Sequence, residues 1–298
     1  MDLQGVRVLA FGTAGAQGSG LVEALEARGA VPVRVSSRPS TVDGWRDQGD
    51  QALLADLSRP ESVDPSAAEA AVLHVTLSLC SPDGVGAVLA TVRRLRAAGL
   101  PVAVNTGTPA PAEGAPDPFG GRATAEAFLG AGATVLTPTA YLENHAAPWA
   151  LGPLAAGELV YPRPAHDPLA WITARDVTAA AVAALAGGVG DELVRLAGPQ
   201  VLTFDELAAE IGEGLGREFA FRRVSADQYA DLLRPVVGDQ AAAGVAAAYG
   251  SMPEDPNPAM AFDASGSWAR LAVEPTSARQ WAREVLAPLV TARAESAA

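Results

Sequence analysis

Three glycines at a spacing of three stand near the start of the chain. They follow an apolar run that ends at Phe11 and precede a stretch with helical periodicity. Glycine permits a tight turn and a close approach of the backbone to a ligand, and amides at the start of a helix attract anions. The pattern predicts a site for the pyrophosphate of a dinucleotide, with coincidence among the 30 glycines as the alternative. The predicted contacts come from Gly12, Thr13, Gly15, Ala16, Gln17 and Gly18.

The end of the second predicted strand bears on the choice of dinucleotide. An NAD site places a carboxylate there for the ribose hydroxyls. Here the strand ends with Ser36, Ser37 and Arg38, and no carboxylate occurs before Asp43. Hydroxyls and a guanidinium can bind a 2′-phosphate, so the sequence favours NADP(H). Arg34 could assist only if its side chain reaches the same rim, and the alternative is that both arginines are ordinary surface charges.

Further positions of the predicted cofactor site follow the next strands. Asp56 and Leu57 come after the third strand, where the Asp56 carboxylate can accept a hydrogen bond from the adenine amine or can form a turn. Leu77 and Ser78 end the fourth strand, beside the expected nicotinamide half of the cofactor. Thr106 follows the fifth strand and completes the predicted set.

The composition excludes several kinds of chemistry. All 21 basic residues are arginine, so no lysine can form a Schiff base, serve a P-loop or complete a Tyr-x-x-x-Lys dyad. Cys80 is the only cysteine, which excludes an intrachain disulfide and a cysteine zinc site, and it is expected to pack rather than react. The three histidines have no spacing typical of a metal site. An α/β-hydrolase is excluded because no Gly-x-Ser-x-Gly motif occurs.

Charge and hydropathy restrict the partners. The 298 residues carry 34 acidic and 21 basic side chains, and the net charge of −13 argues against nucleic acid or an anionic membrane as a partner. No apolar run is long enough to span a bilayer, and the N-terminus does not resemble a signal peptide. We expect a cytoplasmic protein with a small-molecule substrate, and a homodimer is left open.

The elements that must position these residues alternate between two kinds in the first half of the chain. Short β-branched runs predict strands over Val6–Phe11, Val31–Val35, Ala52–Leu54, Ala71–Leu77, Pro101–Val104 and Ala133–Leu136. Helical patterns lie between several of them, over Gln17–Arg28, Val85–Ala98 and Thr124–Leu129. This alternation predicts an α/β fold with a Rossmann-like, doubly wound parallel sheet.

The second half of the chain is less regular and predicts a smaller α+β lobe on the substrate side. We expect an NADP(H)-binding domain over residues 1–140 and the lobe over 141–298, with the chain crossing back to the core around 170–200. A capping box predicts a helix after Thr203. Thr276 is predicted to open the last helix.

Several short segments follow one another in a distinctive order along nearly the whole chain. They are the Gly12/Gly15/Gly18 turn, Val33–Pro39, Ala55–Leu57, Gly121–Leu129 with Ala133–Pro138, Tyr141–Asn144, Trp171–Val177 and Gly198–Leu207. Together they resemble the NmrA-like, or atypical, short-chain dehydrogenases/reductases. The pattern is closest to the NADPH:quinone and triphenylmethane-dye reductase members. The resemblance implies a Rossmann-like core that binds NADP(H) and a cleft against the C-terminal lobe.

The resemblance also bears on catalysis. Orthodox short-chain enzymes use a Tyr-x-x-x-Lys dyad, whereas Arg122 stands near the expected lysine position here, and arginine is a poor proton donor. The quinone- and dye-reducing branch needs little acid catalysis, because hydride passes directly to an electron-poor acceptor. The resemblance implies catalytic or substrate-positioning roles for Tyr141, Asn144 and Arg122, with His145 close by. Packing roles for Tyr141 and His145 are the alternative.

Functions from different classes are compatible with these residues. The first is an NADPH-dependent oxidoreductase that transfers hydride to a small carbonyl, enone or quinone-like acceptor without a Tyr-x-x-x-Lys dyad. The second is a non-catalytic NADP(H) sensor that binds a protein partner, suggested by the absent dyad and the acidic composition. The third is a fold with a degenerate cofactor site that serves as an isomerase, a lyase or a scaffold.

Overall fold

A parallel sheet is the main feature of the computed structural model, which describes residues 1–18, 20–75, 82–111, 113–117, 120–187, 191–257 and 259–291. The strands in these residues are β1 Arg7–Phe11, β2 Val31–Ser36, β3 Ala52–Leu54, β4 Ala70–His74, β5 Val102–Asn105, β6 Thr134–Pro138, β7 Glu158–Tyr161, β8 Leu169–Ala170, β9 Leu193–Leu196, β10 Val201–Leu202 and β11 Ala220–Arg223. Seven of them form the sheet, in the order β3-β2-β1-β4-β5-β6-β9. The strand order reverses at β1, which confirms the predicted doubly wound topology.

Helices connect the strands and make up much of the second half. Within the described residues they are α1 Leu21–Glu26, α2 Pro39–Asp47, α3 Pro82–Ala97, α4 Gly121–Leu129, α5 Leu151–Ala155, α6 Ala174–Gly187, α7 Phe204–Leu215, α8 Ala226–Val237, α9 Asp239–Ser251, α10 Ser265–Leu271 and α11 Ala278–Trp281. A π-helical turn, Ala282–Leu286, continues α11. In the part of the chain that the structure describes, no helix has the length and hydrophobicity needed to cross a bilayer.

Both faces of the sheet are covered by helices, which explains why its strands are apolar on both sides. Along β1, Val8 and Ala10 pack with residues of α1, α6 and α10, whereas Leu9 and Phe11 pack with residues of α3 and α4. This alternation follows from the two-residue period of a strand. The strands β4, β5 and β6 are buried along their whole lengths. Polar residues at their ends therefore lie in the interior of the protein.

A smaller lobe with a separate core is formed by β7, β8, β10 and β11 together with α5, α7, α8, α9 and α11. In this lobe β7 pairs with β11 in parallel, and β8 pairs with β10 in antiparallel fashion. Tyr161 lies at the centre of an aromatic cluster, with ring centroids 5.1–5.4 Å from those of Trp171, Phe204, Tyr229 and Tyr249. This is the expected smaller α+β lobe, and the expected domain boundary at residue 140 stays a prediction.

Two predicted helix starts differ from the structure. The predicted helix Gln17–Arg28 is a 3-10 turn over Ala16–Gly18 followed by the short α1, which begins at Leu21. Gly20 separates the two with a φ of +82°, a left-handed conformation that interrupts a helix. At the end of the chain, Ser277 and not Thr276 caps α11, because the Thr276 hydroxyl donates to Asp176 instead.

The chain leaves the sheet after β6 and returns to it as β9. The residues that follow these two strands both form hydrogen bonds with Ala170. The Ala170 carbonyl accepts from the Thr139 hydroxyl and, at 3.4 Å, from the Gly198 amide. At Gly198 the backbones are so close that a Cβ would stand 1.6 Å from the carbonyl oxygen of Trp171. Only glycine fits this crossing without moving the two backbones apart.

We expect Gly198→Ala to destabilise the protein by more than about 2 kcal/mol, because backbone atoms must separate to admit the methyl group. Gly44→Ala is the matched control: Gly44 lies in α2 with open space around it, so alanine should stabilise by about 0.5–1 kcal/mol. Urea denaturation of both variants measures the two effects. A Gly198→Ala midpoint at or above the wild-type value would contradict the close approach.

Candidate functional site

The predicted site residues lie along one edge of the sheet. All seven strands run in parallel, so their carboxyl ends share this edge. Ligands of such sheets bind outside the carboxyl ends, where the strand order reverses. Here that position is between β1 and β4, at the turn over residues 12–18.

The turn is held by hydrogen bonds within itself. The Gly15 amide donates to the Gly12 carbonyl at 2.9 Å, and the Gly18 amide donates to the Gly15 carbonyl at 3.1 Å. A Cβ on Gly18 would stand 2.2 Å from the Gly12 oxygen, whereas one on Gly15 would meet only that oxygen, at 3.5 Å. These two amides are used inside the turn and α1 begins only at Leu21, so the contact of pyrophosphate with amides at the start of a helix stays a prediction.

Polar side chains without partners surround this turn. Thr13 Oγ1, Gln17 Oε1 and His74 Nε2 are buried and have no hydrogen-bond partner among the described residues. A buried polar atom left unpaired costs about 1–3 kcal/mol, so such a group fits a place where a polar ligand supplies the partners. The Gln17 side chain also reaches the loop after β5, where its Oε1 lies 3.3 Å from the position of a Cβ on Gly107. The turn thus fits the polar groups of a dinucleotide.

The end of β2 presents an exposed cation, Arg38. Arg38 is exposed at the start of α2, and its backbone amide donates to Ser36 Oγ at 3.2 Å. Its guanidinium forms no ion pair with any residue that the structure describes. Arg34, in contrast, donates to Asp50 at 2.6 Å and stacks on Trp45. Arg34 is therefore directed away from the rim that Ser36, Ser37 and Arg38 form.

The residues after β3 have local structural partners. The Asp56 carboxylate accepts from the Ser58 amide at 2.9 Å and from the Ser58 hydroxyl at 2.7 Å, which is an Asx turn. Leu57 is buried, and its carbonyl accepts from Thr91 Oγ1 at 2.9 Å. The turn alternative for Asp56 is observed, and its contact with adenine stays a prediction.

Of the cofactor-binding residues predicted after the fourth and fifth strands, the structure describes Thr106. Leu77 and Ser78 lie outside the described residues, as does Cys80. Thr106 is buried, and its hydroxyl donates to the Thr108 carbonyl at 2.8 Å. Its amide donates to the Leu136 carbonyl at 3.0 Å, so Thr106 ties the loop after β5 to β6.

Tyr141 lies at this edge and is joined to two residues that the sequence had not singled out. Asn105 Nδ2 lies 2.8 Å from Tyr141 Oη and also 2.8 Å from His74 Nδ1. His74 packs against the turn over residues 12–18, since a Cβ on Gly12 would stand 3.0 Å from His74 Cβ. The structure thus brings together the turn, the ends of β4 and β5, and the segment after β6.

Asn144 and His145 occupy the 3-10 turn Leu142–His145, directly after Tyr141. The Asn144 amide donates to the Tyr141 carbonyl at 3.2 Å. His145 is buried with its ring 4.8 Å from that of Trp171, and burial lowers the pKa of His145 to about 4. His145 is therefore a neutral residue of the aromatic packing at ordinary pH, as the packing alternative holds.

Arg122 lies at the start of α4 and holds a loop. Its guanidinium donates to the carbonyls of Pro111 at 3.2 Å and Ala115 at 3.1 Å, and its amide donates to Asp117. These contacts join the start of α4 to Pro111, Ala115 and Asp117. The role of Arg122 near the reacting groups stays a prediction.

Comparison with known proteins identifies the fold. No protein-family model matches the sequence, and no curated protein matches it. NADPH-dependent quinone oxidoreductase from Escherichia coli is 20% identical with a TM-score of 0.66, over 94% of this chain and 99% of that one. Triphenylmethane reductase from Citrobacter sp., solved with NADP(H), is 18% identical with a TM-score of 0.70 and the same coverage. A mutant of NmrA is 15% identical with a TM-score of 0.70, over 98% of each chain. The chain has the fold of these proteins.

The likeness covers the smaller lobe as well as the sheet, because almost the full length of each chain is superposed. It therefore confirms the predicted Rossmann-like fold. The expected resemblance to the NmrA-like group is confirmed for the fold alone.

A half-buried carboxyl near Tyr141 is a further group that the sequence pattern did not identify. Glu143 accepts from the Ala174 amide at 2.9 Å and from Trp281 Nε1 at 3.2 Å, so it joins the segment after β6 to α6 and α11. Burial raises the pKa of Glu143 to about 7, with a further contribution from the charge of Asp176. The pKa of Asp176 is also raised by burial, and its carboxylate accepts from the amide and hydroxyl of Thr276.

The raised pKa makes stability depend on pH. The folded protein binds the Glu143 proton more tightly than the unfolded chain does. The resulting stabilisation of the folded state is complete below pH 4.5 and is lost as the pH rises to about 7. At about 1.4 kcal/mol per pH unit, the loss is about 3 kcal/mol. We expect Glu143→Gln to remove this part of the decline between pH 4.5 and 8 in urea denaturation.

Glu126→Gln removes the same charge from the exposed face of α4 and is the control, which should keep the wild-type decline. Equal pH slopes for the wild type and Glu143→Gln would contradict the assignment.

Proposed function

We propose that the protein is an NADP(H)-dependent oxidoreductase of the NmrA-like, atypical short-chain type. It would pass hydride to a small carbonyl, enone or quinone-like acceptor. The proposal rests on the residues that lie together at the carboxyl edge of the sheet. The turn with its unpartnered polar atoms adjoins His74, Asn105 and Tyr141 there, and the exposed Arg38 stands at the end of β2.

Selectivity for the phosphorylated dinucleotide is assigned to the end of β2. Ser36 and Ser37 offer hydroxyls, and the guanidinium of Arg38 is not engaged by a carboxylate in the described residues. A guanidinium can bind a phosphate through two N–H groups at once. A carboxylate for ribose hydroxyls is missing between Ser36 and Thr41. These features support NADP(H) rather than NAD(H).

The polar groups at the edge supply binding and orientation. When bound, NADPH supplies a hydride. Thr13 and Gln17 are positioned to hydrogen-bond a ligand in the turn, and the Tyr141 hydroxyl stands at the end of β5, where a developing oxyanion can be stabilised. Holding two reactants in one geometry accounts for much of the rate of such a transfer. A quinone-like acceptor needs little help from an acid, which suits a chain without lysine.

The fold comparison supports this proposal. The quinone oxidoreductase is NADPH-dependent, and the same enzyme has been solved with NADPH, at 19% identity to this chain. The triphenylmethane reductase was solved with NADP(H).

A second candidate is an NADP(H) sensor without turnover. Two observations favour it: the chain has no lysine for a catalytic dyad, and Tyr141 is only 3% exposed. This candidate predicts NADP(H) binding with no consumption of NADPH.

An acceptor panel separates the two candidates. NADP(H) and NAD(H) are first titrated against the protein, and NADPH oxidation at 340 nm is then followed with quinones, enones and ketones. The oxidoreductase proposal expects tighter NADP(H) binding and steady turnover with at least one class. Binding without turnover on the whole panel would support the sensor, and no binding of either dinucleotide would overturn both candidates.

We expect Arg38→Ala to weaken NADPH by about 10- to 150-fold in Kd, since a charge-assisted phosphate contact contributes about 1.5–3 kcal/mol. NADH, which lacks the 2′-phosphate, should change less than about threefold. Arg222→Ala is the control for lost charge, because Arg222 is an exposed arginine of the smaller lobe. An equal loss for both dinucleotides would sink the phosphate assignment.

A further inference from the structure

Three buried polar side chains at the carboxyl edge form one hydrogen-bonded chain. His74 ends β4, Asn105 ends β5, and the two are paired in register. Asn105 Nδ2 lies 2.8 Å from His74 Nδ1 and 2.8 Å from Tyr141 Oη. The three residues are 0–3% exposed, so the hydrogen-bond partners of their side chains are protein groups and each donor and acceptor can be assigned.

The loop after β5 fixes the orientation of the Asn105 amide. The Gly107 amide donates to Asn105 Oδ1 at 3.0 Å, and a backbone N–H can only donate. The Nδ2 group must therefore face the other two residues. Its two hydrogens serve one partner each, so His74 Nδ1 accepts and the imidazole carries its proton on Nε2. Burial lowers the pKa of His74 to about 4, which agrees with a neutral ring.

The direction of the hydrogen bond between Asn105 and Tyr141 determines the role that is left for the Tyr141 hydrogen. Its oxygen accepts from Asn105, so its own hydrogen is the one that it donates to another group. An N–H aimed at the phenol oxygen also stabilises the tyrosinate form. Lysine performs this second task in a Tyr-x-x-x-Lys dyad, and this chain has no lysine.

We propose that His74 and Asn105 are positioning residues that hold Tyr141 as the proton donor to the acceptor being reduced. This inference rests on the proposed function. A carbonyl carbon gains a hydride, and with it two electrons, from NADPH. The C=O π bond opens, and its oxygen takes the proton of Tyr141. The tyrosinate left behind regains a proton from water, so the acceptor gains two hydrogens in all and NADPH leaves as NADP⁺.

The other end of the chain meets the phosphate turn. His74 Cδ2, which is bonded to Nε2, lies 3.8 Å from where a Cβ on Gly12 would stand. His74 Nε2 lies across the imidazole ring from Nδ1, so its N–H points away from Asn105. It has no hydrogen-bond partner among the described residues. The arrangement of Tyr141 is thus tied through Asn105 and His74 to the turn over residues 12–18.

The tautomer of His74 tests the direction of the hydrogen bonds without any turnover. Nitrogen-15 NMR at pH 7 can resolve the three histidines, and His74→Asn assigns the His74 signals by their loss. We expect a neutral ring protonated on Nε2. Asn105→Asp replaces the donor with an acceptor and should move the proton to Nδ1. A wild-type ring protonated on Nδ1, or charged at pH 7, would overturn the positioning chain.

Kinetics with a ketone or enone test the proton transfer. Tyr141→Phe should lower kcat by about 100-fold, in the range of general acid catalysis, with KM for NADPH within about threefold. His74→Leu, which removes the acceptor for Asn105, should lower kcat by about 10-fold. His74→Asn should restore most of this loss, because its side-chain oxygen stands where Nδ1 stood. Losses should be smaller with a quinone, whose reduced oxygen water can protonate later.

Thr137→Val is the control, a buried and nearly isosteric change on β6 at a hydroxyl without a partner among the described residues. Wild-type kcat in Tyr141→Phe, or equal losses in both His74 variants, would overturn the inference and leave the proposed function standing. No turnover by the wild type with any acceptor would overturn the proposed function and the proton transfer together, whereas the tautomer would still decide the hydrogen-bond chain.

Discussion

Parallel pairing of the strands places seven carboxyl ends on one edge of the sheet, and the candidate site depends on this constraint. Residues far apart in sequence become neighbours because the loops that follow the strands all begin at this edge. The register of β4 against β5 brings His74 beside Asn105, 31 residues away. The segment after β6 adds Tyr141 to the same group. The edge thus gathers the turn over residues 12–18 and a buried polar chain that ends at the Tyr141 hydroxyl.

Partly buried hydrogen bonds also fix the segment that carries Tyr141. Glu143, two residues later, receives one bond from the start of α6 and one from Trp281 of α11. Asp176 receives two from Thr276, directly before the cap of α11. Removing carboxylates from water is costly, and these donors offset part of the cost. The last helix of the chain is therefore coupled to the position of the candidate site.

Features set by local sequence could be predicted, and features set by long-range contacts could not. The strands β1 to β6 were predicted because apolar β-branched runs report burial directly, and the capping box at Thr203 is present as predicted. Helix α9 had no usable pattern, since its alanine-rich sequence buries only Ala242. The contacts of Arg34 with Asp50 and of Arg122 with Pro111 depend on how separate segments pack. The only hint of the polar chain was that the apolar strands β4 and β5 each end in a polar residue, His74 and Asn105.

The fate of the hydride shows whether the protein is an oxidoreductase. NADPH deuterated at one face of C4 is incubated with the protein and an excess of an electron-poor carbonyl or quinone acceptor, and the products are examined by mass spectrometry and NMR. An oxidoreductase with an ordered cleft should transfer hydrogen from one face of the nicotinamide only. Deuterium should therefore appear in a carbon-bound position of a reduced enone or ketone with one of the two labelled cofactors and not with the other. Tight binding of NADP(H) with no loss of label from either cofactor would contradict the claim.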